Sequence, residues 1–149
     1  MSNIKDLLAG DPEALHRIWM IWQEAKERER KEKEEHDRKH LENMKRYCFK
    51  SKEDMLTYLK AGNRIANYHG YPKEGLEMVD GKIKYTYMVY SEIDMPIGYT
   101  DKYYTEEEFM KGDKFFHAYE WDFGYDSTWI KVGKRSAEDC EKVNIKGLK

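Results

Sequence analysis

A stretch without apolar side chains constrains this chain more than any other feature. Residues 26–40 read KERERKEKEEHDRKH. Such a stretch offers neither a core nor a coiled-coil seam, so a helix there must be held by its own charges. Most charges four residues apart have opposite sign, as in Arg30 and Glu34, and each such pair stabilises a helix by about 0.2–0.5 kcal/mol. We therefore expect a self-supporting, solvated helix.

The expected helix has recognisable ends. Asp11 can cap its N-terminus, and Pro12 suits the first helical position. Leu41 and Met44 restore apolar spacing after the charged stretch. We therefore predict an N-terminal domain, residues 1–47, that consists of one long, partly solvated helix.

The remainder, residues 48–149, alternates short helix and strand signals. Ser51 and Thr105 are suitable N-caps for two short helices. Asp80-Gly81 is typical of a two-residue hairpin turn, and the strand after it alternates apolar and polar side chains. These signals predict an α+β fold, in which the long N-terminal helix is followed by a mainly antiparallel β-sheet with two short helices.

Two expectations concern the later part of this domain. Pro96 and Gly98 predict a loop. Residues 115–123 are rich in aromatic side chains and predict a strand, with residues 129–132 as its antiparallel partner.

Residues 51–68 and 105–119 share an order of elements: a capped helix, a glycine stop and a strand. A diverged repeat would explain this order. A generic connection explains it equally, and we favour that interpretation.

The composition excludes several classes of protein. The chain has 27 basic and 29 acidic residues, which argues against the broad basic surface of a non-specific nucleic-acid binder. No apolar run is long enough to span a bilayer, and the N-terminus lacks the apolar region of an export signal. We expect a soluble, cytoplasmic protein without a membrane partner. Cys48 and Cys140 are then most simply reduced thiols.

Signals for catalysis are poor. His36 and His40 have a spacing that could share a metal, but no third ligand accompanies them and a charged helix face explains both. The sequence contains no phosphate-binding loop and none of the common hydrolase motifs. We therefore expect no enzymatic activity, no metal and no cofactor. Carboxylates in two further groups are interpreted as polar turn residues: Glu92, Asp94, Asp101, Glu120, Asp122 and Asp126.

The aromatic residues carry more information. The chain has 12 tyrosines and 4 tryptophans, more than a small core can absorb, and tyrosine and tryptophan are enriched at protein interfaces. A sheet face with interleaved lysines could also stack single-stranded nucleic acid. The candidate interface residues are Trp19, Ile21, Trp22, Tyr68, Tyr71, Tyr99, Tyr103, Tyr104 and Tyr125.

The start of the long helix has apolar groups around most of its circumference. Residues 18–22 read IWMIW, so some apolar surface stays uncovered even if Trp19 and Trp22 face inward. Self-association is the simplest way to cover it. We expect a homo-oligomer, most simply a two-fold dimer.

The second domain also resembles a group of phage proteins. The sequences MLTYLKAGNRIANYHGYPKEG, EMVDGKIKYTYMVY and FHAYEW together resemble small phage accessory proteins of the Thoeris anti-defence type, which sequester a nucleotide signal. The similarity covers about residues 50–121. Tyr68 and Tyr71 stand where that group has a tryptophan after Ile65, so no binding residue is transferred. The resemblance implies a phage or mobile-element origin.

Together these features predict a non-enzymatic binding protein. It would be a phage-type accessory or counter-defence protein that inhibits a host macromolecule, most simply a host protein, by binding it. Two alternatives stay open: nucleotide or single-stranded RNA or DNA binding through an aromatic and basic sheet face, and a small metal-dependent hydrolase.

Overall fold

A computed structural model describes residues 10–142 of the chain. The chain divides into two compact units, with the boundary between Lys39 and His40. The fold is α+β, as predicted. Its elements in order are α1 (Pro12–Tyr47), α2 (Lys52–Lys60), β1 (Ile65–Asn67), β2 (Gly75–Val79), β3 (Lys82–Tyr90), β4 (Pro96–Tyr104), α3 (Glu106–Lys111), a 3₁₀ turn (Glu120–Asp122), β5 (Trp129–Lys131) and α4 (Ala137–Lys142).

Charge pairs run along the solvated part of α1. Arg30 contacts both Glu27 and Glu34, and Lys39 lies 3.7 Å from Glu35. Two of the predicted pairs at spacing four are therefore present, and Arg30 adds a contact at spacing three. Such contacts support a helix whose side chains are nearly all exposed.

The three predicted N-caps are confirmed. The side chains of Asp11, Ser51 and Thr105 each accept a hydrogen bond from the backbone N–H three residues further on. At α3 the cap is reciprocal, because the Thr105 backbone N–H donates to Glu108. This hydrogen bond lowers the pKa of the Glu108 carboxyl.

Five antiparallel strands form one sheet in the order β4-β3-β2-β1-β5. The predicted hairpin is confirmed between β2 and β3, where Asp80 and Gly81 have φ values of 49° and 78°. Two consecutive positive φ values fit a type I′ turn, whose twist matches that of the strands.

The predicted loop at Pro96 is wrong, because these residues begin strand β4. Except at Ile97, where the register shifts, β4 pairs with β3 along its length, so that Tyr99 lies opposite Met88 and Tyr103 opposite Lys84. Pro96 is tolerated as the first residue of an edge strand, where its missing N–H costs no essential ladder hydrogen bond.

The predicted strand at 115–123 is also wrong. Phe115 is buried in the core, and the chain then turns through Glu120–Asp122, while β5 pairs with β1 instead. The similarity between segments 51–68 and 105–119 consequently ends at the helix and its glycine, since the second segment contains no strand.

Helices pack on the centre of one sheet face and on one end of the other. On the first face, α2 and α3 pack on the sheet through one core cluster: Phe49, Met55, Leu59, Ile65, Leu76, Ile83, Phe109, Phe115 and Trp129. On the second face, the last turns of α1 and helix α4 cover β1 and β5 through another: Met44, Cys48, Ala66, Tyr125, Ile130, Val132 and Cys140. We call the second face half-open, because its β3–β4 part lacks such a cover among the described residues.

A buried arginine, Arg64, lies on the part of the half-open face that α1 and α4 cover. The Arg64 side chain is 2% exposed, and its Nη2 donates to the Lys73 carbonyl at 2.6 Å. Its Nη1 lies 3.5 Å from Glu77. The guanidinium also contacts the Cys140 thiol, whose pKa is raised by burial. Gly75 lies beneath Arg64 and leaves the space that this path needs.

We therefore predict that Gly75→Ala destabilises the protein. The added Cβ would overlap the Ile65 carbonyl oxygen and lie 3.0 Å from Arg64 Nη2. Overpacking of this kind costs about 1–3 kcal/mol. Urea unfolding measures the loss.

Gly112→Ala is the matched control, because its Cβ would meet no atom closer than 3.8 Å. A surface change of this kind should alter the free energy of unfolding by no more than about 0.5 kcal/mol. Equal effects of the two substitutions would show that the space above Gly75 is not critical.

Candidate binding surface

The uncovered part of the half-open face collects tyrosines. Residues that pair directly across antiparallel strands share a face, so Tyr99 lies beside Met88 and Tyr103 beside Lys84. Strand alternation places Tyr90 on this face too. Tyr71 joins it from the β1–β2 loop, with its ring 6.3 Å from that of Tyr90.

Side-chain contacts hold this surface in place. Tyr71 and Tyr90 share a hydrogen bond, and the Lys73 ammonium lies 5.8 Å from the centre of the Tyr99 ring. Tyr90 and Tyr103 are nevertheless about half exposed. Rigid tyrosines with exposed rings supply contact area at a low cost in side-chain entropy.

Two lysines of this surface are paired with carboxylates. Lys84 and Lys73 each lie 3.1 Å from a carboxylate, that of Glu77 and Glu141 respectively. The hydrogen bond to Glu77 raises the pKa of Lys84, so this ammonium group stays protonated at neutral pH. These two lysines therefore do not form the unpaired basic surface that binds a phosphate backbone.

The tip of the β3–β4 hairpin extends the surface with apolar side chains. Ile93, Met95 and Ile97 are 79%, 57% and 66% exposed. The tip is ordered by its own hydrogen bonds, because Ser91 N donates to the Met95 carbonyl at 2.8 Å and Met95 N donates to the Ser91 hydroxyl at 3.2 Å. An apolar group displayed by an ordered turn is typical of an interaction site.

Three of the candidate tyrosines lie elsewhere. Tyr104 faces the first core, with its ring 5.2 Å from that of Phe115. Tyr125 is buried in the second core, and Tyr68 packs against the same cluster. The sequence could not separate these residues from Tyr71, Tyr99 and Tyr103, because composition alone does not tell which side of a sheet a tyrosine occupies.

The other candidates lie in α1, in the unit that ends at Lys39. Trp19, Ile21 and Trp22 belong to an apolar segment, residues 15–22, whose six large apolar side chains are between 41% and 64% exposed. Within residues 10–142, no helix is long and apolar enough to cross a membrane.

A polar pocket lies beside the second core. Its volume is about 290 Å³, and within it His40 Nε2 lies 2.8 Å from Asp122 Oδ1. The Asp122 side chain is only 8% exposed, so this carboxylate is not the solvated turn residue that we expected. The pocket is lined by His40, Asn43, Met44, Tyr68, His69, Asp122 and Ser127.

Asp126 is likewise a structural residue and not a solvated one. It is fully buried and accepts hydrogen bonds from three backbone N–H groups, those of His117, Thr128 and Trp129. Its own N–H donates to the Phe49 carbonyl at 2.9 Å. Asp126 thereby fixes the segment that turns back into β5.

The two histidines with metal-sharing spacing each lie near a carboxylate. His40 is committed to Asp122, while His36 lies 3.7 Å from Asp37. No group of three or more histidine, cysteine or carboxylate side chains in residues 10–142 is arranged to hold a metal ion.

Sequence reasoning missed Tyr90, the hairpin tip and the His40–Asp122 contact. Recognition of β4 would have revealed the first two, because β3 and β4 then become one hairpin with an apolar tip. His40 and Asp122 are 82 positions apart, and no local signal links them.

In comparisons with protein families, curated proteins and solved structures, the chain matches none. Its function must be inferred from its own residues.

Removal of the Asp126 carboxylate should be costly. Asp126→Ala leaves three N–H groups, one of them buried, without their acceptor, so we expect a loss on the order of 3 kcal/mol in the free energy of unfolding. Asp113→Ala, at an exposed position, should change it by about 0.5 kcal/mol or less. Similar small losses for both variants in urea unfolding would mean that water replaces the Asp126 carboxylate.

Proposed function

We propose that this chain is a non-enzymatic protein-binding protein, and that the tyrosines of the half-open face with the β3–β4 tip form its interface. One observation carries the proposal. Where the helices stop covering the sheet, Tyr90, Tyr99 and Tyr103 and the apolar side chains of the β3–β4 tip are exposed. Tyrosine-rich patches with few unpaired charges are typical of the centre of protein interfaces.

The charge balance favours a protein over a nucleic acid. A strand of nucleic acid would need unpaired lysines or arginines along its path. Lys73 and Lys84, which flank the tyrosines, are neutralised by Glu141 and Glu77. Nucleotide or single-stranded nucleic-acid binding is therefore our second candidate.

We assign a structural role to the best-placed acid–base pair. His40 and Asp122 bond to each other and thereby join the end of α1 to the 3₁₀ turn. A hydrolase would need such a pair to face a nucleophile or a metal-bound water. We propose instead that the protein acts by occupying its partner. A phage-type counter-defence role, with a host protein as the partner, fits this mode of action and depends on the sequence resemblance.

We further propose that the apolar segment of α1, residues 15–22, binds a second copy of the chain. Six large apolar side chains on one short segment form a patch that a monomer seldom leaves in water.

The proposed interface can be tested with two tyrosines. Immobilised wild-type protein should retain one bacterial protein from a nuclease-treated lysate, in stoichiometric amount and chemically unchanged. Tyr99→Ser with Tyr103→Ser should reduce the retained amount by about tenfold or more. Truncation of a tyrosine at the centre of an interface costs about 1 kcal/mol or more of binding free energy.

Trp121→Ser is the control for the loss of an exposed aromatic side chain, because Trp121 is 72% exposed on a different loop. It should leave the retained amount unchanged. Equal losses in both variants would contradict the proposed surface, and quenching of tyrosine fluorescence by oligonucleotides would favour the nucleic-acid alternative.

Self-association is tested separately. Sedimentation at micromolar concentration should show an oligomer for the wild type. Trp19→Glu with Ile21→Glu should give a monomer or an aggregate, because charges cannot be buried in an apolar contact without a partner. A wild-type monomer would contradict self-association and leave the segment available to another partner.

A further inference from the structure

We propose that the polar pocket beside the second core binds a small organic cation of the alkylguanidinium class, and that the Asp122 carboxylate is its main contact. The pocket has a volume of about 290 Å³, which suits a small ligand. None of its described lining residues belongs to the proposed protein interface, so the two proposals can fail independently.

Asp122 is a buried carboxylate that uses only one of its two oxygens within the described chain. Its side chain is 8% exposed, and Oδ1 lies 2.8 Å from His40 Nε2. No residue between 10 and 142 donates a hydrogen bond to Oδ2. This oxygen is not fully enclosed, so a ligand in the pocket can reach it. A carboxylate oxygen largely withdrawn from water is stabilised by a hydrogen-bond donor, and the pocket is the place from which one can come.

The other buried aspartate of this region differs in that both of its oxygens are satisfied. Asp126 Oδ1 accepts from Thr128 N–H and Oδ2 accepts from His117 N–H, each at 2.7 Å. A carboxylate with a purely structural role is thus fully bonded in this fold. The open oxygen of Asp122 therefore points to a donor from another molecule.

The charge of the lining favours a cation. Asp122 is the one acidic residue among the described lining residues, which include no lysine or arginine. An anion such as phosphate would meet the carboxylate without a basic group to compensate. A metal ion would need about three ligand side chains close together, and residues 10–142 contain no such group.

The other side chains of the lining match a guanidinium on an alkyl chain. The Asn43 side-chain carbonyl is a second acceptor, and a guanidinium offers several N–H donors in one plane. The Tyr68 ring lines the same space, and the face of an aromatic ring attracts a cation. Met44 supplies an apolar wall for the alkyl chain.

Two probes of similar shape and different charge test the site on the wild-type chain. n-Butylguanidinium is a cation, and n-butylurea is its neutral counterpart. Each is titrated at about pH 8, where histidine is ordinarily neutral, while the imidazole NMR signals are followed. We expect butylguanidinium to shift the signals of His40 and His69 saturably, and butylurea to bind about tenfold more weakly or worse. His16 and His36 lie outside the pocket and should show no saturable shift.

A pair of variants tests the role of the carboxylate. Asp122→Asn removes the charge and keeps the shape, so it should weaken butylguanidinium binding by about tenfold or more and leave butylurea binding unchanged. Asp113→Asn, at an exposed position, is the matched control and should alter neither. Circular dichroism shows whether the Asp122 variant is folded, and if it is not, the wild-type comparison decides alone.

Two results would overturn the proposal. Equal affinities of the wild type for the two probes would show that the pocket does not select a cation. An absence of saturable shifts at His40 and His69 would show that the pocket holds only water.

Discussion

An antiparallel sheet must bury at least one face in a core, and the extent to which each face is covered is the constraint on which the rest of the second unit depends. Helices α2 and α3 cover the centre of the first face. The last turns of α1 and helix α4 cover only the β1–β5 part of the second face. The chain has no further described helix for the β3–β4 part, so the side chains there must tolerate water or meet a partner.

Tyrosine is the residue that satisfies both requirements. Its ring packs against neighbours, as Tyr71 does against Tyr90, and its hydroxyl stays hydrated. The neighbouring lysines, Lys73 and Lys84, are paired with the carboxylates of Glu141 and Glu77, so these two lysines add little net positive charge to the surface. Because the lysines of this aromatic surface already have carboxylate partners, we propose a protein partner in preference to a phosphate backbone.

Local chemistry explains which features could be predicted from sequence. The caps at Asp11, Ser51 and Thr105 and the turn at Asp80-Gly81 depend on residues a few positions apart, and all were predicted. The strand at Pro96 was missed because its pairing with β3, and not its own propensity, makes it a strand. Residues 115–123 have strand propensity, but the backbone N–H of His117 donates to the buried Asp126, and the chain turns instead of forming a strand. Long-range pairing also decides which side of the sheet a tyrosine occupies. The sequence therefore indicated Tyr99 and Tyr103 as interface candidates without separating them from the inward-facing Tyr104 and Tyr125.

The central claim is that the uncovered half of the sheet is a binding surface. Hydrogen exchange with mass spectrometry, on the free chain and on the chain bound to its captured partner, tests it most directly. We predict that binding slows exchange in residues 88–104 and in the loop around Tyr71, while residues 52–60 of the covered face are unaffected. Slowed exchange confined to other segments, with no change in residues 88–104, would contradict the claim.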